Sequence, residues 1–325
     1  MSDSNGKLSG YRVAGFIGSR VTEMLIEQGH AVTGVDNLND AYDVRMKEYR
    51  LRKLQALSGF TFQKLDITER ASLEKLPAFE AVINLAARAG VRDSIQDPWA
   101  FMETNLIGTL NLLELARQRG IKKFIQASTA GIYGANPPLP TPETAESDHS
   151  LQPYAASKKS AEVLCHAYHF MHGLDVTVFR YFTVYGPAGR PDMVMFRFTK
   201  WISEGQPVHL YGTGEQSRGF TYLDDIARGT ILGLQPMGYE TINLGGHETI
   251  TINQMIAMLE ELTGKKVHLQ NHPAHRADIL ANWADISKAK RLLGWEPQMD
   301  LIEGMKHLVD WYRNERDWAK EVTTP

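Results

Sequence analysis

Cysteine is nearly absent from this chain: Cys165 stands alone among 325 residues. One cysteine excludes an intramolecular disulfide framework and agrees with a reducing compartment. Long apolar runs are also lacking, and no segment approaches the ~20 apolar residues of a membrane span. The N-terminal Met1-Ser2-Asp3-Ser4-Asn5-Gly6-Lys7 has no apolar core of the signal-peptide kind, so a cytoplasmic protein without a membrane partner is expected. Neither sign of charge dominates, since 35 Lys and Arg stand against 38 Asp and Glu for a formal charge of -3. With no basic run interleaved with aromatics, nucleic acid is not an expected partner. Any anionic ligand must then be held by local arginines. Internal repeats and low-complexity tracts are missing as well.

What is present is a length and composition sufficient for one large domain or two smaller ones, with 43% hydrophobic and 22% charged residues. Apolar, β-branched runs at Ala31 to Asp36, Phe60 to Leu65, Glu80 to Ala86, Lys123 to Ser128 and Asp175 to Phe182 read as strands. Between them, Phe16 to Gln28, Asp43 to Leu57, Pro98 to Gln118 and Tyr154 to Met171 read as helices. Strands that are nearly continuous apolar runs are covered by helices on both faces, which predicts an α/β, Rossmann-like doubly wound parallel sheet. Beyond Phe182 the texture changes to Gly- and Pro-rich loops, a helix at Met193 to Glu204 and a short strand at Val208 to Tyr211. Thr251 with Gln254, and Asp300 with Glu303, read as capping boxes opening two later helices. The expected division is a dinucleotide-binding domain over 1–183, with a return segment near 220–258, and a smaller α/β C-terminal substrate domain over 184–219 and 259–325.

Ala14-Gly15-Phe16-Ile17-Gly18 leads into the first helix, and Asp36 ends the following strand eighteen residues after Gly18. Such glycines let a backbone approach a pyrophosphate at a helix N-terminus. An aspartate at that strand end can accept hydrogen bonds from an adenosine ribose and would repel a 2′-phosphate, which favours NAD over NADP. The fingerprint calls for a glycine three residues before Gly15, and this chain has Arg12. The preceding Gly6-Lys7-Leu8-Ser9-Gly10-Tyr11 is polar and glycine-rich for a buried central strand, so the first strand and turn read as shortened; either this is a tolerated variant in which Val13 occupies part of the strand, or cofactor affinity is reduced.

Tyr154 and Lys158 lie four residues apart, on one face of a helix, where the cation can favour the phenolate. A free tyrosine titrates near ~10, and lowering it by ~3 units takes about 4 kcal/mol, within reach of a nearby cation and a positively charged cofactor. Together with Thr129, in Ser128-Thr129-Ala130-Gly131-Ile132-Tyr133-Gly134, this pair makes the chain resemble the extended short-chain dehydrogenase/reductase family, and within it the nucleotide-sugar 4-epimerases. Further matches are Val35-Asp36-Asn37, Leu65-Asp66-Ile67, Asn84-Leu85-Ala86-Ala87, Asn105, Tyr181 to Pro187 and Thr221 to Asp225. The resemblance implies catalytic Thr129, Tyr154 and Lys158. It implies cofactor contacts from Gly15, Phe16, Ile17, Gly18, Asp36, Asn37, Asp66, Ile67, Leu85, Ala86, Ala87 and Asn105, as well as from Tyr154 and Lys158.

Ala89-Gly90-Val91-Arg92 and Gly189-Arg190-Pro191-Asp192-Met193 look like signatures of the UDP-glucuronate 4-epimerases. On that resemblance Arg92, Thr183, Arg190, Arg218 and Arg276, with Thr129 and Tyr154, would meet the UDP-sugar, and arginines suit a diphosphate or a hexuronate carboxylate. Related 4,6-dehydratases place Asp-Glu after the threonine, and UDP-glucuronate decarboxylases carry a glutamate in that turn. Here Ala130 and Gly131 offer no acid, which leaves oxidation and re-reduction at C4. Glucuronate epimerases often carry serines at those two places. The implied function is NAD-dependent conversion of UDP-glucuronate to UDP-galacturonate by a homodimer. The alternatives are a UDP-glucose or UDP-N-acetylhexosamine 4-epimerase, or a nucleotide-sugar binding protein without catalysis. His166, His169 and His172 crowd near Cys165, but no carboxylate completes a metal-ligand pattern, so no metal is expected.

Overall fold

Residues 6–246, 248–274 and 279–325 are described by the computed structural model. Among them, Lys7–Tyr11 forms β1, and the apolar runs read above become the strands β2 (Ala31–Asp36), β3 (Phe60–Lys64), β4 (Ala81–Asn84), β5 (Lys123–Thr129) and β6 (Asp175–Tyr181). After these come β7 (Thr183–Tyr185), β8 (Val208–Tyr211), β9 (Ser217–Tyr222) and β10 (Tyr239–Leu244). Seven strands form one parallel sheet in the order β10-β6-β5-β4-β1-β2-β3. Strand order reverses between β1 and β4, and in such sheets the crevice beyond the carboxyl ends at that point is where ligands dock.

Two apolar clusters cover the two faces of this sheet. Leu8, Val32, Ile83, Ile125 and Phe179 face one way, against Val21 and Leu25 of the Phe16–Glu27 helix. Tyr11, Val35, Val82, Phe124 and Val178 face the other, against Leu112 and Ala116 of the Gly108–Arg119 helix. The alternation along each strand that produces this is the period of two in a pleated backbone.

The first strand departs from the sequence expectation. Lys7–Tyr11 is a full central strand, paired with β2 from Lys7↔Ala31 to Tyr11↔Val35 and with β4 from Leu8↔Ala81 to Tyr11↔Asn84. A parallel ladder is made of backbone groups, so Ser9 and Gly10 do not interrupt it, while Leu8 and Tyr11 supply the apolar volume on opposite faces. The expected Pro98 to Gln118 helix also differs: it is Pro98–Met102, a π turn at Glu103–Ile107, and Gly108–Arg119. The cause lies in Asn105, whose side chain is bonded to Arg88 and to Ser157 Oγ rather than left on a helix surface.

Further along, β7, β9, β11 (Thr249–Thr251) and β13 (Ala281–Asn282) form a second sheet, and β8 pairs with β12 (Leu269–His272). The helices Val194–Ser203, Ile252–Thr263 and Leu301–Asn314 pack on them around Phe198, Met255 and Met305. Thr251 and Gln254 form the reciprocal capping box. Asp300 caps its helix through Ile302 N and Glu303 N without a return bond from Glu303. Cys165 is buried in the core, and His166 and His169 pack against the ring of Tyr239, at 4.9 and 5.7 Å between centroids.

Candidate active site

The turn after β1 keeps the shape that a dinucleotide fingerprint requires, although its first glycine is Arg12. Arg12 adopts the left-handed region with φ 63°, and Gly15 N donates to Arg12 O at 3.0 Å. A Cβ on Gly18 would lie 2.1 Å from that same oxygen, so only glycine fits there. The helix beginning at Phe16 has no side-chain cap and no acidic residue in its first turn. Its N–H groups and positive dipole end therefore face the crevice, a ready site for an anion.

Two cavities meet at this turn. The larger, of about 450 Å³, is lined by Gly15 to Gly18 on one wall and by Thr129, Tyr154, Lys158, Thr183 and Arg190 on others, with Leu85 and Ala87 at the end of β4. The narrower, of about 30 Å³, runs between Asp36, Asn37 and Lys47 on one side and Asp66, Ile67 and Ala86 on the other. Residues placed by resemblance at the two ends of a dinucleotide thus sort into two adjoining cavities.

In the larger cavity, Pro153–His172 carries Tyr154 at its start and Lys158 one turn on, and Phe101 packs edge-on to the Tyr154 ring at 6.1 Å. Lys158 is 2% exposed and its Nζ has no hydrogen-bond partner. Burial, with the charge of Arg12 adding to it, brings its ammonium down to about 8. Glu162, the nearest carboxylate along the helix, is committed to Arg180 through two bonds of 2.8 and 3.1 Å. A buried amine left without a partner in a concave site is waiting for a ligand oxygen. Thr129 Oγ1 accepts from Gly131 N at 3.1 Å, which fixes its rotamer at the edge of β5 while leaving its hydroxyl hydrogen to a ligand.

Opposite, Arg190 pairs with Asp192 and donates to Ala89 O at 3.1 Å. Burial opposes the charge of Asp192, and the Arg190 guanidinium overcomes it and holds the carboxyl below its usual range. In the narrow cavity, burial also opposes the charge of Asp66, but hydrogen bonds from Thr68 and Asn37 outweigh it and keep the group low. Lys47 donates to Asn39 Oδ1 at 2.7 Å and lies 3.7 Å from Asp36, with burial pulling its ammonium down.

Four residues anticipated for the site lie elsewhere or outside view. Asn105 lines neither cavity; wholly buried, it pins Arg88, and so the strand β4 turn, to the Pro153–His172 helix. Arg92 is exposed, with its guanidinium 4.7 Å above the Tyr211 ring, and Arg218 donates to Ser217 O at 2.7 Å. Arg276 lies outside the described residues. The sequence reading missed Lys47, Ser128 and Asp192. Lys47 had a signal: it falls with Arg50 among Met46, Leu51 and Leu54 on the buried face of Arg45–Gln55, where an ordinary surface helix would have no charges.

Residues 13–245 match the NAD dependent epimerase/dehydratase family, and the chain belongs to that family. A UDP-glucuronate 4-epimerase from Thermodesulfobacterium geofontis is 52% identical over 314 residues, spanning 95% of this chain and 97% of that protein. Among solved structures, the UDP-glucuronic acid 4-epimerase from Bacillus cereus in complex with UDP-glucuronic acid and NAD is similar with a TM-score of 0.88 at 34% identity, over 95% of this chain and 99% of that one. The UDP-glucose 4-epimerase of Thermotoga maritima, with UDP-glucose, is similar with a TM-score of 0.89 at 36% identity, again over 95% and 99%.

Proposed function

We propose that this protein is an NAD-dependent enzyme that inverts C4 of UDP-glucuronate to give UDP-galacturonate. The observation that carries the reading is the buried, unpartnered Lys158 amine one turn from Tyr154 in a cavity that adjoins an uncapped helix N-terminus. That amine and the glycine turn fit a nicotinamide dinucleotide. Gly15 to Gly18 would hold its pyrophosphate, Asp36, Asn37, Asp66 and Ile67 its adenosine, and Leu85 to Ala87 with Lys158 its central and nicotinamide-side riboses. NAD supplies the hydride acceptor and donor when bound.

Tyr154, as phenolate, accepts the proton of the sugar 4-hydroxyl and returns it at the end of the cycle. Lys158 favours that phenolate by its charge, and Thr129 donates to the same sugar oxygen. Ala130 and Gly131 bring no acid to the sugar, so the proton bookkeeping ends at C4. Arg190 and Thr183 would form the substrate side of the larger cavity, where a guanidinium suits a diphosphate or a carboxylate. Residues 184–219 and 259–325 serve the substrate side, and residues 1–183 with the return segment 220–258 serve the cofactor side. Asn105 acts by holding the β4 turn in place.

A second reading has its own support: the small Ala130-Gly131 turn and the likeness to a UDP-glucose 4-epimerase favour a neutral hexose as substrate. Turnover of purified protein with UDP-glucuronate, UDP-glucose and UDP-N-acetylglucosamine separates the two, and no conversion of UDP-glucuronate would sink the first. The same proposal places the protein in the cytoplasm as a homodimer. Supporting the dimer, Ile95, Trp99, Phe170 and Met171 are 55, 82, 79 and 68% exposed on helices that neighbour one another. Sedimentation showing a monomer at micromolar concentration would refute it.

A further inference from the structure

The cleft is partitioned by a single hydrogen bond. Arg12 and Ala87 are the two residues common to the walls of both cavities, and Arg12 Nη1 donates to Ala87 O. A dinucleotide lying across both cavities has to pass this point. The stem of Arg12 runs over the glycine turn, since a Cβ on Gly15 would sit 2.9 Å from Arg12 Cγ. The guanidinium is thus poised at the uncapped N-terminus of the Phe16–Glu27 helix.

Three features show that this side chain is not placed there for stability. Its backbone is left-handed, a conformation unfavourable for a side-chain-bearing residue that glycine adopts freely. Among the described residues it forms no ion pair with Asp36, Asp66 or Asp192, although all three line the adjoining walls. Among the described residues its guanidinium donates to one neutral carbonyl, against five donors in a planar fork.

We infer that Arg12 is a latch on the cofactor cleft. When a dinucleotide enters, the guanidinium leaves Ala87 O and takes the pyrophosphate as its partner. This chain would then hold its cofactor partly through a charge contact that the glycine of the usual fingerprint cannot make. The inference rests on the cofactor reading given above.

The test is titration calorimetry on cofactor-free wild type and Arg12→Gly with NAD and, separately, with adenosine, which has no phosphate. Glycine adopts φ 63° without strain, so the variant folds. Loss of a charge-assisted bidentate contact should weaken NAD binding about tenfold or more and flatten its dependence on salt between about 50 and 500 mM, while adenosine binding is unchanged or tighter. NAD binding that is equal or tighter in Arg12→Gly would overturn the latch and make Arg12 an obstruction or a bystander. Wild type that binds adenosine but not NAD at any salt would overturn both the latch and the cofactor reading. That outcome is distinct from the former.

Discussion

Replacing Lys158 by methionine should stabilise the fold while destroying turnover. The lysine is 2% exposed, lacks a hydrogen-bond partner for Nζ, and titrates at about 8 rather than 10.5. At about 1.4 kcal/mol per pH unit, that drop corresponds to a folding cost of roughly 3 kcal/mol for keeping the ammonium charged inside the cofactor-free protein. Methionine has a similar volume and no charge, so most of the cost is removed. With an unfolding entropy of ~2.1 cal/mol/K per residue, a chain of this length should gain about 4 °C in Tm near pH 7.

The pH dependence gives the sharper test. Below about 8 both folded and unfolded wild type carry the ammonium, and the full penalty is present. Between about 8 and 10.5 the folded state has released a proton that the unfolded state retains, so wild-type stability rises with pH across that window. The advantage of Lys158→Met should therefore shrink from pH 8 upward and vanish near 10.5. Differential scanning fluorimetry of both proteins from pH 6.5 to 10.5, before any cofactor is added, measures it. A methionine variant that is less stable than wild type at pH 7, or whose advantage is flat across the range, would refute the reasoning.

Two other variants test separate parts of the structure. Tyr154→Phe should lower kcat by about a thousandfold, the scale of a lost general base, while leaving the Kd for the UDP-sugar within about twofold, as read by calorimetry beside initial rates. Glu162→Leu strands the buried Arg180 guanidinium, now held at 2.8 and 3.1 Å, and should cost about 3–5 kcal/mol in urea unfolding, most of it recovered in Glu162→Leu with Arg180→Met.

The parallel sheet was legible because its strands are buried on both faces and so read as short apolar runs between helical stretches, from Ala31 to Asp36 through to Asp175 to Phe182. Lys7–Tyr11 was not, because side-chain polarity was taken as a proxy for burial. A central strand bonded on both sides tolerates Ser9 and Gly10 as long as Leu8 and Tyr11 fill the volume on either face. The same limitation hid the π turn at Glu103–Ile107, which is set by bonds from Asn105 to residues far away in sequence. The residues assigned by the family resemblance do gather, Thr129, Tyr154 and Lys158 in one cavity and Asp36, Asn37 and Asp66 in its neighbour. Spacing could not show that Arg12, read as a defect in the turn, keeps the turn's backbone and sends its side chain across the passage between them.

The central claim is that hydrogen leaves C4 of UDP-glucuronate and comes back to the same carbon on the other face. It is tested most directly by incubating the holoenzyme with UDP-glucuronate deuterated at C4 and analysing the product by NMR and mass spectrometry. The account predicts UDP-galacturonate with the deuterium retained at C4. Product that has lost its label, or label retained in unchanged UDP-glucuronate while UDP-glucose is epimerised, would contradict it.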